Sequence, residues 1–182
     1  MTAIVGLVHG GDVYMGADSS GGTDRYIAQR YDPKIFINGS FLMGYTTSFR
    51  MGQLLKYSFE APKPPDIQDE LMRFMATDFI DAIRSCFKSG GWGEIEKNRE
   101  TGGSFMVGVA GRLFEIEGDY QVTEETQGYA SCGSGALVAL GSMYATSHTS
   151  FGPHKRIELA LKAAEFFTPG VRGPHHTLVL RG

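Results

Sequence analysis

The chain has 182 residues, a formal net charge of −3 at pH 7 and a hydrophobic fraction of 42%. These values are typical of an ordinary globular protein with one full hydrophobic core, so we predict a single domain over residues 1–182. The acidic balance excludes the basic field that nucleic-acid binding needs, and no apolar run approaches the about 20 residues of a membrane span. The start lacks a signal-peptide pattern, and Cys86 and Cys132 are too few for a disulfide framework, so we expect a cytoplasmic protein.

Short apolar runs joined by turn residues predict three β-hairpins and two further strands. One hairpin turns at Asn38-Gly39, the strongest short-range hairpin signal. The predicted hairpins cover residues 3–17, 34–45 and 105–116, and the further strands lie at 129–130 and 177–180. We expect the polar residues 21–33, which include Asp24, and the charged residues 92–101 to form surface connections.

Apolar residues at helical spacing predict four helices. The first runs from Ser48 to Phe59, and the second runs from Asp66, acting as its N-cap, to Lys88. The third, residues 136–144, is apolar almost all round, which predicts burial on every side. The fourth covers about residues 157–167. Hairpins combined with two helix pairs predict an α+β fold, a four-layer α/β/β/α sandwich in which helices flank two packed antiparallel sheets.

A hydroxyl residue directly follows the first methionine. If Met1 is removed, Thr2 carries a hydroxyl and a free α-amine, whose ordinary pKa of roughly 7.7–8.0 suits a general base. This pairing is the threonine version of an activated nucleophile. Many chains begin Met-Thr without any catalytic role, so the pattern needs support from the rest of the sequence.

Five motifs give that support, in this order: Thr2-Ala3-Ile4-Val5-Gly6, Gly16-Ala17-Asp18-Ser19, Pro33-Lys34-Ile35-Phe36, Met43-Gly44 and Ala130-Ser131-Cys132-Gly133-Ser134-Gly135. Taken singly, Asp18 fits a turn cap, Lys34 a solvated strand-edge charge, Gly44 a close-packed strand and Ser134 a helix cap. Taken together, they resemble the proteasome β-type subunits, including the simpler bacterial ring peptidases that partner an ATPase, within the N-terminal nucleophile hydrolases. The resemblance covers nearly the whole chain.

The resemblance implies a threonine endopeptidase that uses neither a cofactor nor a metal. Thr2 Oγ would attack a carbonyl to form an acyl-enzyme, with Lys34 easing its deprotonation and Asp18 holding that lysine. Ser134 would hydrogen-bond the α-amine, and the Gly44 N–H would stabilise the oxyanion. Further implied residues are the substrate contacts Ser20, Gly22 and Thr46.

The resemblance also implies partners: a homo-oligomeric ring, an unfolded polypeptide substrate and an ATP-dependent unfoldase, with no nucleic acid and no membrane. The helices 48–59 and 66–88 are expected to carry the ring contacts, because both contain large apolar residues, some of which lie off the main apolar stripe. These large residues are Phe49, Phe59, Met72 and Phe74.

Two departures from the family pattern leave alternatives open. The family usually has an aspartate after the last helix and a serine three residues further on. An alignment without gaps places Thr168 and Val171 at these two positions, and an alignment shifted by three residues places Glu165 and Thr168 there as possible support. A retained Met1 would leave Thr2 with an amide nitrogen and no general base. The alternatives are therefore a catalytically inactive assembly subunit and a small-amide hydrolase on the same fold. His175 and His176, expected in the last strand, would point to opposite faces, which argues against a shared metal.

Overall fold

The computed structural model describes residues 1–23, 26–96 and 99–182, so the predicted connection residue Asp24 lies outside the described residues. The strands are β1 (Ile4–His9), β2 (Asp12–Ala17), β3 (Ser20–Thr23), β4 (Tyr26–Gln29), β5 (Ile35–Asn38), β6 (Phe41–Tyr45), β7 (Glu94–Glu96), β8 (Arg99–Thr101), β9 (Phe105–Val109), β10 (Arg112–Ile116), β11 (Val122–Glu124), β12 (Tyr129–Cys132) and β13 (His176–Leu180). The helices are α1 (Phe49–Tyr57), α2 (Leu71–Phe74), α3 (Ile80–Ser89), α4 (Ala136–Ala145) and α5 (Pro153–Phe167).

Two antiparallel sheets pack face to face and carry helices on their outer sides, which confirms the predicted α+β four-layer sandwich. The first sheet has the order β12-β1-β2-β13 and the second β11-β10-β9-β6-β5. Side chains such as Ile4, Met15, Leu42 and Met106 fill the layer between the sheets. A second apolar layer lies between the first sheet and α4 and α5, and a third lies between the second sheet and α1 to α3.

Three strand regions were missed because their strands are short and, apart from β4, mostly polar or charged. Residues 21–33 and 92–101 were predicted as connections, but they contain the two-stranded pairs β3-β4 and β7-β8. At Gly22 a side chain would be impossible, because an added Cβ would lie 2.2 Å from the Tyr26 carbonyl oxygen across the β3-β4 pair. The edge strand β11 was also missed, and its Glu124 pairs with Arg112 of β10.

Two helix predictions were wrong in detail. Asp66 does not cap the second helix, which begins with a short 3₁₀ turn (Gln68–Glu70). The Asp66 carboxylate lies instead 3.7 Å from the Lys63 ammonium at the surface. That helix continues through α2, a π-helical turn (Met75–Phe79) and α3. Helix α4 is not buried on every side, because Leu137 is 85% exposed and Tyr144 is 68% exposed. His175 precedes β13 rather than belonging to it.

The sandwich brings four chain segments to one end. Thr2 lies just before β1 and Asp18 just after β2, and the pairing of Ile4 with Ala17 sets these two residues side by side. Ser134 follows β12, which pairs with β1 from the other side. Lys34 lies just before β5 in the second sheet. Within the described residues, no helix has both the length and the apolar character needed to cross a bilayer.

Candidate active site

A buried lysine connects the two sheets at this end of the molecule. Lys34 Nζ lies 2.8 Å from Asp18 Oδ1 and 3.1 Å from Thr2 Oγ1. The Lys34 and Asp18 side chains are 1% and 0% exposed, so this ion pair is removed from water. Burial lowers the pKa of Lys34, and the neighbouring Asp18 charge opposes that shift. The ammonium group can therefore donate to the Thr2 hydroxyl oxygen while Asp18 holds it in place.

Asp18 is itself fixed by hydrogen bonds on both carboxylate oxygens. Oδ1 accepts from the Ala3 N–H at 3.0 Å, and Oδ2 accepts from the Ser20 N–H at 3.0 Å and the Ser20 hydroxyl at 2.5 Å. Hydrogen bonds to a charged acceptor are stronger than those between neutral groups, so several of them fix the position of a carboxylate. Ser20 was predicted as a substrate contact. Its buried hydroxyl instead contacts Asp18 and the Gly170 carbonyl, so its role is to support the carboxylate.

The turn between β12 and α4 holds the backbone of Thr2. The Thr2 N–H donates to Ser134 Oγ at 3.0 Å, and the Gly135 N–H donates to the Thr2 carbonyl at 3.0 Å. The Ser134 hydroxyl also lies 3.3 Å from that carbonyl. The structure thus brings together Thr2, Asp18, Lys34 and Ser134, as the sequence predicted.

Met1 is present, and its carbonyl occupies part of this cluster. The Thr2 hydroxyl donates to the Met1 carbonyl at 2.8 Å, and Lys34 Nζ lies 3.3 Å from the same oxygen. The Met1 side chain packs on Gly170. With Met1 attached, the Thr2 nitrogen is an amide, which is a hydrogen-bond donor and no base.

An open cleft of about 540 Å³ lies over Thr2. Gly21 and Gly22 border one side, and residues 45–50 border the other. The cleft therefore includes two of the three predicted substrate contacts, Gly22 and Thr46. Gly44 lies outside it.

Gly44 cannot serve as the predicted oxyanion donor. It lies in the middle strand β6, where it pairs with Ile35 and Met106, and its α-carbon faces Met15 between the sheets. The following N–H groups alternate in direction: Tyr45 donates to Lys34, and Thr46 donates to Ser104 on the other side. The Gly44 N–H therefore points into the sheet towards β9.

Thr47 is the better-placed donor, and the sequence did not indicate it. It lines the cleft with φ of +56°, a left-handed backbone that is uncommon outside glycine. Its side chain stabilises this conformation, because Thr47 Oγ1 accepts from the Ser104 N–H at 3.0 Å. Within residues 1–23, 26–96 and 99–182 the Thr47 N–H donates no hydrogen bond. Its position directly before the helix cap Ser48 is the one sequence signal that could have found it.

The three residues considered as supports after the last helix make no hydrogen bond to Ser134 within the part of the chain that the structure describes. Thr168 is the buried C-terminal cap of α5, and Val171 packs towards Gly135. Glu165 Oε1 accepts from the Gly173 N–H at 3.1 Å, and its Oε2 lies 3.0 Å from His175 Nε2 but off the line of a hydrogen bond. Glu165 therefore organises the loop that precedes β13 rather than the amine site.

The sequence matches no protein-family model and no curated protein sequence. Solved structures nevertheless share its shape across almost the whole chain. Thiobacillus denitrificans BPH, solved alone and in complex with Epoxomicin, has a TM-score of 0.80 at 19% identity, covering 99% of this chain and 98% of that chain. HslV from Trypanosoma brucei has a TM-score of 0.70 at 18% identity, covering 100% of both chains.

A third similar structure is a Gly-1 mutant of Anbu from Hyphomicrobium sp. strain MC1, with a TM-score of 0.69 at 14% identity over 100% of this chain and 82% of that chain. The chain has the HslV-type fold. The fold expected from the resemblance to proteasome β-type subunits is thereby confirmed. In this HslV-type fold, the residues that precede β1 and β5 and follow β2 and β12 meet at one end of the sandwich, which is where Thr2 and Lys34 lie.

Proposed function

We propose that the chain is a threonine-type peptidase whose nucleophile is Thr2 after removal of Met1. One observation carries the proposal: the buried Lys34 ammonium lies between Asp18 Oδ1, at 2.8 Å, and Thr2 Oγ1, at 3.1 Å. A surface lysine would not need such an arrangement, and burying an ion pair is costly unless its geometry is good. The proposal is further supported by the open cleft directly over Thr2.

The proposed reaction proceeds through two acyl-transfer steps. The free α-amine of Thr2, placed beside Ser134 Oγ, takes the proton from the Thr2 hydroxyl while Lys34 stabilises the developing charge. Oγ then bonds to the substrate carbonyl carbon, and the Thr47 N–H, at the cleft wall, stabilises the oxyanion. The amine returns its proton to the leaving nitrogen as the peptide bond breaks. Water then attacks the ester by the same route and regenerates Thr2.

Substitution of the nucleophile tests this function. Met-trimmed protein should cleave fluorogenic peptides and gain the mass of a peptide epoxyketone that carries alanine next to its reactive group, a reagent of the same class as the epoxomicin bound to Thiobacillus denitrificans BPH. Thr2→Ala should lose both turnover and the adduct, because it lacks the hydroxyl. Thr77→Ala, which removes an exposed hydroxyl on the second-sheet side, is the matched control and should behave like the unmodified chain. Full turnover by Thr2→Ala would refute the proposed function.

A catalytically inactive assembly subunit is the second candidate. The observation that favours it concerns Ser134: among the residues that the structure describes, no carboxylate is hydrogen-bonded to its hydroxyl. Intact mass decides between the two: quantitative retention of Met1 in natively produced protein favours the inactive subunit. A small-amide hydrolase would instead turn over a defined amide and no peptide.

The proposed assembly is a homo-oligomeric ring that admits unfolded polypeptide, with an ATP-dependent unfoldase supplying it. The predicted contact residues need revision, because Phe59 and Phe74 are buried in the protomer core and Phe49 lines the cleft. Met72 is 37% exposed and stays a candidate contact, and a pair of adjacent exposed aromatic side chains lies at the end of α5, where Phe166 is 81% and Phe167 70% exposed. Exposed aromatic pairs of this kind favour a partner surface.

Light scattering at micromolar concentration should therefore return a particle several times heavier than the 19.8 kDa protomer. Replacing Phe166 and Phe167 together with serine should reduce the mass, because the contact loses its apolar area. Tyr57→Ser, which changes an exposed aromatic residue on α1, serves as the control and should leave the mass unchanged. A monomer mass for the unmodified chain would contradict the ring.

A further inference from the structure

Phe49 stands at the side of the cleft as the first residue of α1, directly after its cap Ser48. The guanidinium carbon of Arg30 lies 4.1 Å from the centre of its ring, which is stacking distance. Arg30 is in turn held by two hydrogen bonds to Asp32, at 3.2 Å and 3.0 Å. The Arg30–Asp32 ion pair therefore holds one face of the Phe49 ring, and Phe49 is not a freely rotating surface side chain.

The Phe49 ring also reaches across the cleft to the opposite wall. A Cβ added at Gly21 in β3 would lie 3.1 Å from Phe49 Cζ. On its other side the ring meets Tyr45 edge-on, with 6.0 Å between ring centroids. Phe49 thus spans the gap between α1 and β3, the two elements that border the space beside Thr2.

The space left between this ring and the Lys34 ammonium, which contacts the nucleophile, is narrow. Lys34 Nζ lies 6.0 Å from the ring centre and 3.1 Å from Thr2 Oγ1. A carbon atom between the ammonium and the ring would make a contact of about 3.5–4.0 Å to each of them. The ammonium and the ring would then have to be about 7–8 Å apart. A reacting carbonyl must come to about 3–3.5 Å from Oγ1. The side chain next to that carbonyl therefore enters directly beside Phe49.

We infer that Phe49 restricts cleavage to peptide bonds that follow a small residue: glycine, alanine or serine. This inference rests on the proposed peptidase function and specifies its substrate class. A leucine or phenylalanine side chain at that substrate position has no room unless the ring leaves its stack on Arg30. Replacing Phe49 with alanine removes the ring and opens the space without changing Thr2, Lys34 or Asp18.

Three fluorogenic peptides that differ only in the residue before the reporter, alanine, leucine or phenylalanine, test the inference on Met-trimmed protein. For the unmodified chain, kcat/KM for the alanine peptide should exceed that for the leucine peptide at least tenfold, since a pocket that excludes methylene groups discriminates by about 10–200-fold. Phe49→Ala should lower this ratio at least tenfold. Phe49→Leu, a milder change, should give an intermediate ratio, and Tyr57→Ala on the same helix should leave the ratio unchanged.

The outcomes separate this inference from the function on which it rests. If the unmodified chain prefers leucine or phenylalanine, or if Phe49→Ala leaves the ratio unchanged while turnover persists, the inference is wrong and the peptidase assignment stands. The ratio of the unmodified chain decides the matter even if Phe49→Ala fails to fold. If the unmodified chain and Phe49→Ala turn over none of the three peptides and neither forms the epoxyketone adduct, the peptidase function itself is refuted, and the inference with it.

Discussion

Replacing Lys34 with methionine is expected to abolish peptide turnover and to lower the free energy of unfolding by about 3–5 kcal/mol. The activity is lost because Thr2 Oγ1 no longer has the ammonium group that lies 3.1 Å from it. The stability is lost because the 0% exposed Asp18 carboxylate keeps its charge without a cation beside it. Chemical denaturation and fluorogenic turnover measure the two effects on the same samples.

Two further variants separate these causes. The double variant Lys34→Met with Asp18→Asn should recover part of the stability, because no buried charge remains unpaired. The recovery is incomplete because the Ala3 and Ser20 N–H groups donate to different carboxylate oxygens, and an asparagine has only one oxygen to accept them. It should remain inactive. Lys162→Met removes a lysine from an exposed pair with Glu158 and should change neither quantity appreciably. Turnover near the unmodified level in Lys34→Met would show that the ammonium group takes no part in the reaction.

The sequence predicted the layered fold and four site residues for one common reason. Thr2, Asp18, Lys34 and Ser134 all flank strands whose apolar runs and turns are strong, so their places follow from the pairing of those strands. The register of β1 with β2 and β12 then brings the strand ends together. The order and spacing of these residues carried the resemblance to proteasome β-type subunits, and that resemblance indicated this part of the site.

Gly44 and Thr47 show where sequence reasoning failed. The direction of a backbone N–H depends on strand alternation and on the local φ angle, and residue type does not reveal either of them. The sequence therefore favoured Gly44 as the oxyanion donor, although Thr47 is the residue with the left-handed backbone.

The exposure of α4 was missed for a similar reason. An apolar helix face looks the same in sequence whether it packs inside the protomer or against a partner, and Leu137 and Tyr144 remain exposed in this chain. Strand β3 was missed because it consists of glycine, serine and threonine, and its partner β4 has only four residues.

Gly133→Ala should be far more damaging to catalysis than the same change at Gly128, although both glycines have a left-handed backbone. Their φ values are +98° and +70°, so each substitution costs about 1–2 kcal/mol of conformational strain. An added Cβ at Gly128 meets nothing closer than Val8 at 3.9 Å, whereas at Gly133 it would lie 2.4 Å from the Thr2 carbonyl oxygen. That oxygen belongs to the backbone of the nucleophile, so it can move away only by displacing Thr2 from Lys34.

A displacement of about 1 Å at a reacting group can cost about 100-fold in rate. We therefore expect kcat/KM to fall at least 100-fold in Gly133→Ala and less than threefold in Gly128→Ala. Denaturation should show both variants folded, with Gly128→Ala reporting the strain alone and Gly133→Ala losing more stability because of the clash. Equal turnover in the two folded variants would contradict the conclusion that the turn between β12 and α4 positions the Thr2 nucleophile through direct contact with its backbone.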